Sequence, residues 1–368
     1  MVLRNNWFML AGVVLALQTV QVLAMEFEGF GSIGYHKHDS KGHHAGSSGE
    51  YAEGFTLGGF DLYAFQKIGE DTSAFAEFII GDFEEEIELE RLWIKRTISP
   101  ALGFKAGLME SPLGYWNRTY RHGGQLLQDT ITRPFFLRYE DEGDSIFPMV
   151  SVGVEAFGTI PLAGGDLNYV AVFSNGVSLD TSVAGAPSSI QINHLGDPGD
   201  EKLFIMRTAY KFSALPLQIG LFGMNNPIVE SAKNASVSQG VRLLTQNVLG
   251  ADLHMAANGF ELIAEYYNID NKDAVGNIDA DPARAWFMQF GYQLTARLKP
   301  LYRYVSLGFD AADPFFRYRG VQEQQHHVAG LRYDLDESNA LKFEVHQMNF
   351  DGGETEYHYQ LQWAFIVF

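Results

Sequence analysis

After residue 24, apolar and polar residues alternate at every second position through most of the chain. Residues 341–346, LKFEVH, and residues 357–365, YHYQLQWAF, show the pattern clearly. A period of two belongs to a β-strand with two unlike faces, because successive side chains point to opposite sides of a sheet. No long segment of this part has the apolar period of a helix. The sequence therefore predicts an all-β fold.

Sixteen strands are predicted, and the links between them alternate between short and long. The strands cover residues 26–37, 54–68, 74–83, 88–97, 103–110, 148–160, 166–176, 201–212, 217–226, 241–256, 260–270, 283–294, 300–308, 323–335, 340–350 and 357–368. The short links resemble turns and cover residues 69–73, 98–102, 161–165, 213–216, 257–259, 295–299 and 336–339. The long links include residues 38–53, 111–147, 177–200, 227–240, 271–282 and 309–322.

This asymmetry is typical of a closed up-and-down barrel in an outer membrane, which has short periplasmic turns and long outer loops. Such a barrel must close, because hydrocarbon offers no hydrogen-bond partner to a free strand edge. We therefore expect a transmembrane antiparallel β-barrel of about 16 strands, with apolar aromatic-rich faces toward lipid. A soluble barrel or sandwich with its apolar face inside is the alternative that alternation alone leaves open.

The first 24 residues have the three parts of a secretory signal peptide. Arg4 precedes an apolar run over residues 7–17, and small-residue spacing follows at Val22 and Ala24. The run is too short for a membrane span of about 20 residues. We expect a signal peptide over residues 1–24 and a barrel over residues 25–368, with an uncleaved anchor helix as the alternative.

Charge and motifs narrow the function classes. A net charge of -19 argues against a general nucleic-acid binder, which needs a basic face. The chain has no Cys and none of the GxSxG, HExxH or phosphate-cradling motifs. No enzyme activity and no cofactor are therefore predicted. An outer-membrane lipase would need a Ser/His pair near the lipid interface, which sequence spacing does not test.

Two segments resemble bacterial outer-membrane porins. Residues 361–365, LQWAF, are similar to the closing-strand signal that the barrel-assembly machinery reads in such proteins, although three residues follow here. Residues 90–115 resemble a hairpin of the phosphate/polyphosphate-selective porin family, and the matching positions are Glu90, Arg91, Lys95, Gly103, Lys105, Gly107, Pro112, Leu113 and Gly114. The resemblance implies an outer-membrane porin, commonly a homotrimer. Phosphate selectivity in that family rests on dense basic rows, whereas this chain has 26 Lys and Arg against 45 Asp and Glu.

A sixteen-stranded barrel is too wide for its wall side chains to fill, so a loop must narrow it. Residues 111–147 form the third long link, where porins fold a loop into the lumen. Its charged residues are predicted to line the constriction and to sort solutes by charge: Arg118, Arg121, Arg133, Arg138, Glu140, Asp141, Glu142 and Asp144. A packed external lid with internal ion pairs is the alternative.

Charged residues on the polar faces of the strands are predicted to line the lumen wall. They are Arg91, Lys95, Lys105, Arg207, Lys211, Glu261, Glu265, Arg332, Lys342 and Glu344. The first three lie on neighbouring strands just before the loop, so they form either a basic wall facing the acidic loop or a set of locally paired charges.

The first long link contains HKHDSKGHH, in which His36, His38, His43 and His44 with Asp39 are candidate transition-metal ligands. A flexible external loop without a bound metal is the simpler interpretation. We therefore predict a passive diffusion channel of the bacterial outer membrane for small hydrophilic solutes or inorganic ions. A non-conducting barrel that serves as a surface binding protein is the alternative.

Overall fold

The computed structural model describes residues 25–39, 53–80, 87–120, 128–138, 145–180, 188–192, 196, 200–231, 240–274, 276 and 278–368. The predicted signal peptide lies outside these residues and stays a prediction.

Sixteen long antiparallel strands close into a barrel, and two short strands pair inside its loop end. The strands are β1 (Glu26–Asp39), β2 (Glu53–Lys67), β3 (Thr72–Ile80), β4 (Ile87–Ser99), β5 (Leu102–Glu110), β6 (Val150–Leu162), β7 (Gly165–Asn175), β8 (Val177–Asp180), β9 (Ser189–Ile192), β10 (Lys202–Phe212), β11 (Leu217–Glu230), β12 (Arg242–Ala257), β13 (Phe260–Asp273), β14 (Ala283–Tyr292), β15 (Leu298–Gly308), β16 (Gln324–Asp336), β17 (Asn339–Phe350) and β18 (Thr355–Ile366). Each predicted strand overlaps one long strand, so the predicted fold class is confirmed.

The two ends of the chain close the barrel. Strand β1 pairs antiparallel with both β2 and β18, so no sheet edge remains between first and last strand. The backbone N–H of Val367 donates to the carbonyl of Gly29 at 2.7 Å, and the N–H of Gly29 donates to the carbonyl of Phe368 at 3.3 Å. The last residues therefore continue the seam with β1, which accounts for the tail beyond the closing-strand signal.

Each long strand turns an apolar face outward. On β18, the residues Tyr357, Tyr359, Leu361 and Trp363 are exposed, whereas Gln362 is buried on the inner face. Outward aromatic and aliphatic side chains recur around the barrel, among them Phe204, Leu249 and Phe343. A closed barrel with an apolar outer band and charges inside has the polarity of a membrane-spanning barrel.

Three short helical segments complete the described fold. They are α1 (Gly114–Thr119), a 3₁₀ turn (Phe135–Leu137) and α2 (Pro314–Arg319). The first two belong to the third long link, and α2 lies between β15 and β16. No helix among the described residues is long and apolar enough to cross a membrane.

The barrel interior has two unlike halves. The inner faces of β7 and β10–β15 carry apolar residues toward the loop end, including Ile205, Phe222 and Phe287. Side chains of the third link, of the β8–β9 hairpin and of α2 pack against them in one cluster. The inner faces of β16–β18 and β1–β6 carry mainly charged and polar residues. At the loop end, packed apolar side chains therefore fill one side of the interior, and charged and polar side chains line the other.

Candidate functional site

The third long link folds into the barrel and packs against the apolar half of the wall. Its largest apolar side chains are at most 1% exposed, namely Leu113, Trp116, Phe135, Phe136, Leu137, Ile146 and Phe147. The Trp116 and Phe136 rings lie against Phe287 on β14, with centroids 5.7 and 6.3 Å away. The prediction that this loop enters the lumen is confirmed.

The loop enters through a close contact between α1 and β13. Gly114 has φ 78°, and a Cβ built there would lie 2.2 Å from Glu265 Oε2. Only glycine tolerates both that backbone conformation and that approach. The carboxylate of Glu265 then accepts hydrogen bonds from the backbone N–H of Trp116 at 2.5 Å and from the Tyr267 hydroxyl. Glu265, predicted as a wall charge, thus holds the start of the loop.

The middle of the loop is held by a second carboxylate. Glu344 on β17 accepts hydrogen bonds from the N–H of Ile131 at 2.8 Å and from the N–H and hydroxyl of Thr132 at 3.2 and 2.8 Å. Arg303 on β15 donates to the Thr132 carbonyl at 2.7 Å and to its hydroxyl at 2.6 Å. Two further wall residues, Lys342 and Arg332, donate to the carbonyls of Thr130 and Gln128. Buried backbone groups of the loop are thereby satisfied by wall charges.

A third anchor joins the loop to β13 and β15. Lys299 Nζ lies 2.6 Å from Glu261 Oε2 and also pairs with Asp129 of the loop. Burial raises the pKa of Asp129, and the Lys299 ammonium opposes that effect. Glu261 also accepts from the Tyr120 hydroxyl at 3.1 Å.

A chain of ion pairs crosses the polar half of the wall from β3 to α1. Arg91 on β4 pairs with Glu77 and Glu110, and Lys105 on β5 lies 3.7 Å from Glu110 and 3.2 Å from Glu155. Arg118 of the loop completes the chain at 2.9 Å from Glu155. Two of the three basic residues before the loop are therefore neutralised by wall carboxylates. The third, Lys95, lies over the Phe157 ring at 5.4 Å.

The remaining predicted wall charges have other surroundings. Arg207 makes a two-pronged hydrogen bond to Asp252 on β12, at 2.8 and 2.6 Å. Lys211 is exposed near the turn end of β10. The prediction missed five charged wall residues: Glu110, Glu155, Asp252, Lys299 and Arg303. Period-two alternation, which places Lys105 and Arg207 on the inner face, could have identified inward residues on the other strands as well.

The predicted constriction residues fall into two groups. Arg118, Arg133 and Arg138 are described and partly buried, and Arg118 pairs with the wall. The other five, Arg121, Glu140, Asp141, Glu142 and Asp144, lie outside the described residues.

Aromatic rings line the polar half on four consecutive strands. Phe30, Tyr63, Phe75 and Trp93 follow one another with centroid distances of 5.1, 5.3 and 5.2 Å. The Arg91 guanidinium lies over two of these rings, 5.4 Å from Tyr63 and 4.7 Å from Phe75. Toward the turn end they border a cavity of about 230 Å³ lined by Glu26, Glu28, Tyr63, Phe65 and Phe75.

Histidines line the polar half at the loop end. His36 and His38 lie on β1 rather than in a loop, and His38 is the register partner of His358 on β18. His43 and His44 lie outside the described residues. Within the described chain, no three His, Cys, Asp or Glu side chains are grouped, as they stand, so that they could hold a metal ion.

Comparison with known proteins identifies the fold. No protein-family model and no curated protein matches the sequence. Solved structures do match: the outer membrane channel DcaP of Acinetobacter baumannii has a TM-score of 0.60 at 11% identity over 93% of this chain and 96% of that one. Pseudomonas putida OprB has 0.58 at 11% identity over 98% and 97%, and Salmonella typhi OmpF, solved with daunomycin, has 0.55 at 11% identity over 93% and 97%. The chain has the fold of outer-membrane porins.

Proposed function

We propose that the protein is a passive diffusion channel of the bacterial outer membrane for small hydrophilic solutes or ions. The observation that carries the proposal is the polarity of the barrel, which has an apolar outer band and an interior half lined by charged side chains. Water-filled barrels need such a lining, whereas a soluble barrel would have the opposite arrangement. Transport requires no covalent step, only electrodiffusion past the inserted loop.

Planar-bilayer recording of the folded, purified protein tests the proposal. We expect discrete current steps with a conductance that grows with salt concentration. The matched control is the same preparation denatured by heat. If folded protein gives no current steps, a non-conducting barrel that binds a surface partner is favoured instead. The packed apolar half of the interior supports this second candidate.

The described wall favours a channel without strong anion preference. Arg91 and Lys105 belong to the segment that resembles phosphate-selective porins, but both are neutralised by Glu77, Glu110 and Glu155. We expect a reversal potential close to zero in a salt gradient. Replacing Glu110 by Gln leaves Arg91 and Lys105 short of one counter-charge, so the reversal potential shifts toward anion preference. Lys95 is the register partner of Lys105 and forms no ion pair with a carboxylate among the described residues, so Lys95→Gln is the matched control.

The acidic run of the loop has its own test. Replacing Glu140, Asp141, Glu142 and Asp144 by neutral amides changes the reversal potential if these residues line the narrowest point. An unchanged potential, together with a shift for Glu110→Gln, assigns selectivity to the wall instead.

Assembly and location complete the proposal. We expect a signal peptide cleaved after Ala24, folding by the barrel-assembly machinery, outer-membrane lipid around the apolar band and a homotrimer. One Vibrio cholerae structure with this fold is a trimer form. Mass spectrometry of the membrane-extracted chain and gel mobility before and after heating test cleavage and oligomeric state.

A further inference from the structure

A row of histidines crosses the seam where the barrel closes. His346 on β17 is the register partner of His358 on β18, and His358 is the register partner of His38 on β1. The three residues therefore lie side by side on the interior face of three adjacent strands, at the loop end. The rings of His38 and His358 have centroids 3.4 Å apart, and those of His346 and His358 are 6.4 Å apart.

His36 extends this histidine row along β1. Its ring centroid is 5.7 Å from that of His38, because the two residues are one strand period apart on the same face. The row thus joins the first and the last strands of the barrel, and its two central members, His38 and His358, are 320 positions apart in the sequence. Sequence spacing does not predict such a contact.

The central imidazole has an unused ligand atom. Nε2 of His358 is buried and makes no hydrogen bond within the described residues, and Glu356 Oε2 lies 4.0 Å away. A buried polar atom without a partner in the protein is a candidate ligand atom. His346 Nε2 lies 3.0 Å from Glu344 Oε2, the type of carboxylate contact that orients metal-binding imidazoles.

We propose that the histidine row binds a divalent transition-metal ion such as Zn²⁺, Ni²⁺ or Cu²⁺, with His38 and His358 as the two essential ligands. Neutral imidazoles are favoured ligands for these ions. Two imidazoles that share one tetrahedral zinc have ring centroids about 5 Å apart, given zinc–nitrogen bonds of about 2.0–2.1 Å. The His38 and His358 rings, 3.4 Å apart in this structure, therefore separate by more than about 1 Å on binding, and a side-chain rotation brings His36 or His346 toward the third position. Water or Glu356 fills the remaining coordination.

The site differs from one made by the first loop alone. His38 belongs to both arrangements, but the essential partner here is His358, and His43 and His44 are not required. Binding also does not depend on whether the barrel conducts, so the inference can fail while the proposed channel function holds.

Titration calorimetry with ZnCl₂ on tag-free, folded full-length protein tests the proposal. We expect one ion per chain, and a loss of affinity of at least about tenfold in His358→Gln and in His38→Gln, because altering even a residue that only orients a metal ligand usually costs about tenfold or more. His327→Gln is the matched control, because this residue on β16 faces outward against Tyr302 and Tyr304 and should bind Zn²⁺ like the native protein. Retained heat-dependent gel mobility shows that each variant is folded.

A second readout identifies the ligand atoms. Cu²⁺ added at one ion per chain should give an electron paramagnetic resonance spectrum with coupling to at least two nitrogens, and His358→Gln should remove one of them. Stoichiometric binding that survives in both His358→Gln and His38→Gln overturns the proposal. Binding that disappears in a His43→Gln, His44→Gln double variant but persists in His358→Gln also overturns it and assigns the metal to the first loop.

Discussion

The two halves of the interior should differ sharply in their access to water. The natural chain has no Cys, so single Cys substitutions report accessibility without background. Ala285→Cys places a thiol on the inner face of β14 beneath the inserted loop, where the native side chain is 0% exposed. Gln360→Cys places one on the inner face of β18 in the polar half. The assay is the reaction rate with a charged methanethiosulfonate reagent in lipid vesicles.

The magnitude follows from the packing above β14. Position 285 belongs to the same packed cluster as Trp116 and Phe136, which lie against Phe287 on the same strand, so a reagent should reach it only when that cluster opens. Exposing two large buried side chains costs about 3–6 kcal/mol at about 1.5–3 kcal/mol each. Since about 1.4 kcal/mol corresponds to a factor of ten, the open population falls to about 10⁻² to 10⁻⁴. We expect Ala285→Cys to react at least about a hundredfold more slowly than Gln360→Cys.

Two controls make the comparison decisive. Both variants should react at the same rate in urea, which shows that the thiols are chemically equivalent. Ala264→Cys, on the outward face of β13, should be protected from the charged reagent by the apolar band. Rates for Ala285→Cys and Gln360→Cys within a factor of about ten in the folded protein would show that the loop does not stay packed against the wall and would refute the two-halves interpretation.

Three further substitutions test the anchors of the loops. Gly114→Ala introduces a Cβ 2.2 Å from Glu265 Oε2 at a positive φ. It should therefore lower the free energy of unfolding by at least about 1–2 kcal/mol and lower the melting temperature. Glu344→Ala removes the carboxylate that accepts hydrogen bonds from the N–H of Ile131 and from the N–H and hydroxyl of Thr132. A hydrogen bond to a charged group stabilises the fold by about 1.5–3 kcal/mol, so this change should accelerate hydrogen exchange in residues 128–138 at least about tenfold. Asp313→Ala removes the N-cap of α2 and should destabilise that helix by about 1–2 kcal/mol. We expect faster proteolysis near α2 and unchanged hydrogen exchange in residues 128–138.

The number of strands, the outward and inward faces of each strand and the inserted loop were predictable because they depend on the pattern of neighbouring residues and on link lengths. Period two fixes which residues face outward, and the alternating link lengths fix which end carries the loops. The ion-pair partners were less accessible to sequence reasoning, because Arg91 and Glu110 meet only once the register between β4 and β5 is known. The contact between His38 and His358 depends likewise on closure of the barrel. Residues 139–144, which include all four acidic residues of the predicted constriction, lie outside the described part of the chain.

The packed half of the interior can be recognised in the sequence by short runs in which the alternation of apolar and polar residues is lost. In the segment LFIM, residues 203–206, all four positions are apolar, so the strand has no polar face there. Leu203 and Ile205 are fully buried inside, whereas Phe204 and Met206 are exposed outside. A strand facing an open aqueous lumen would have polar residues at the inward positions 203 and 205, so a run that is apolar on both faces indicates a wall covered by protein. In this barrel, the run at 203–206 marks a stretch of wall that is covered by the packed side chains of the interior cluster.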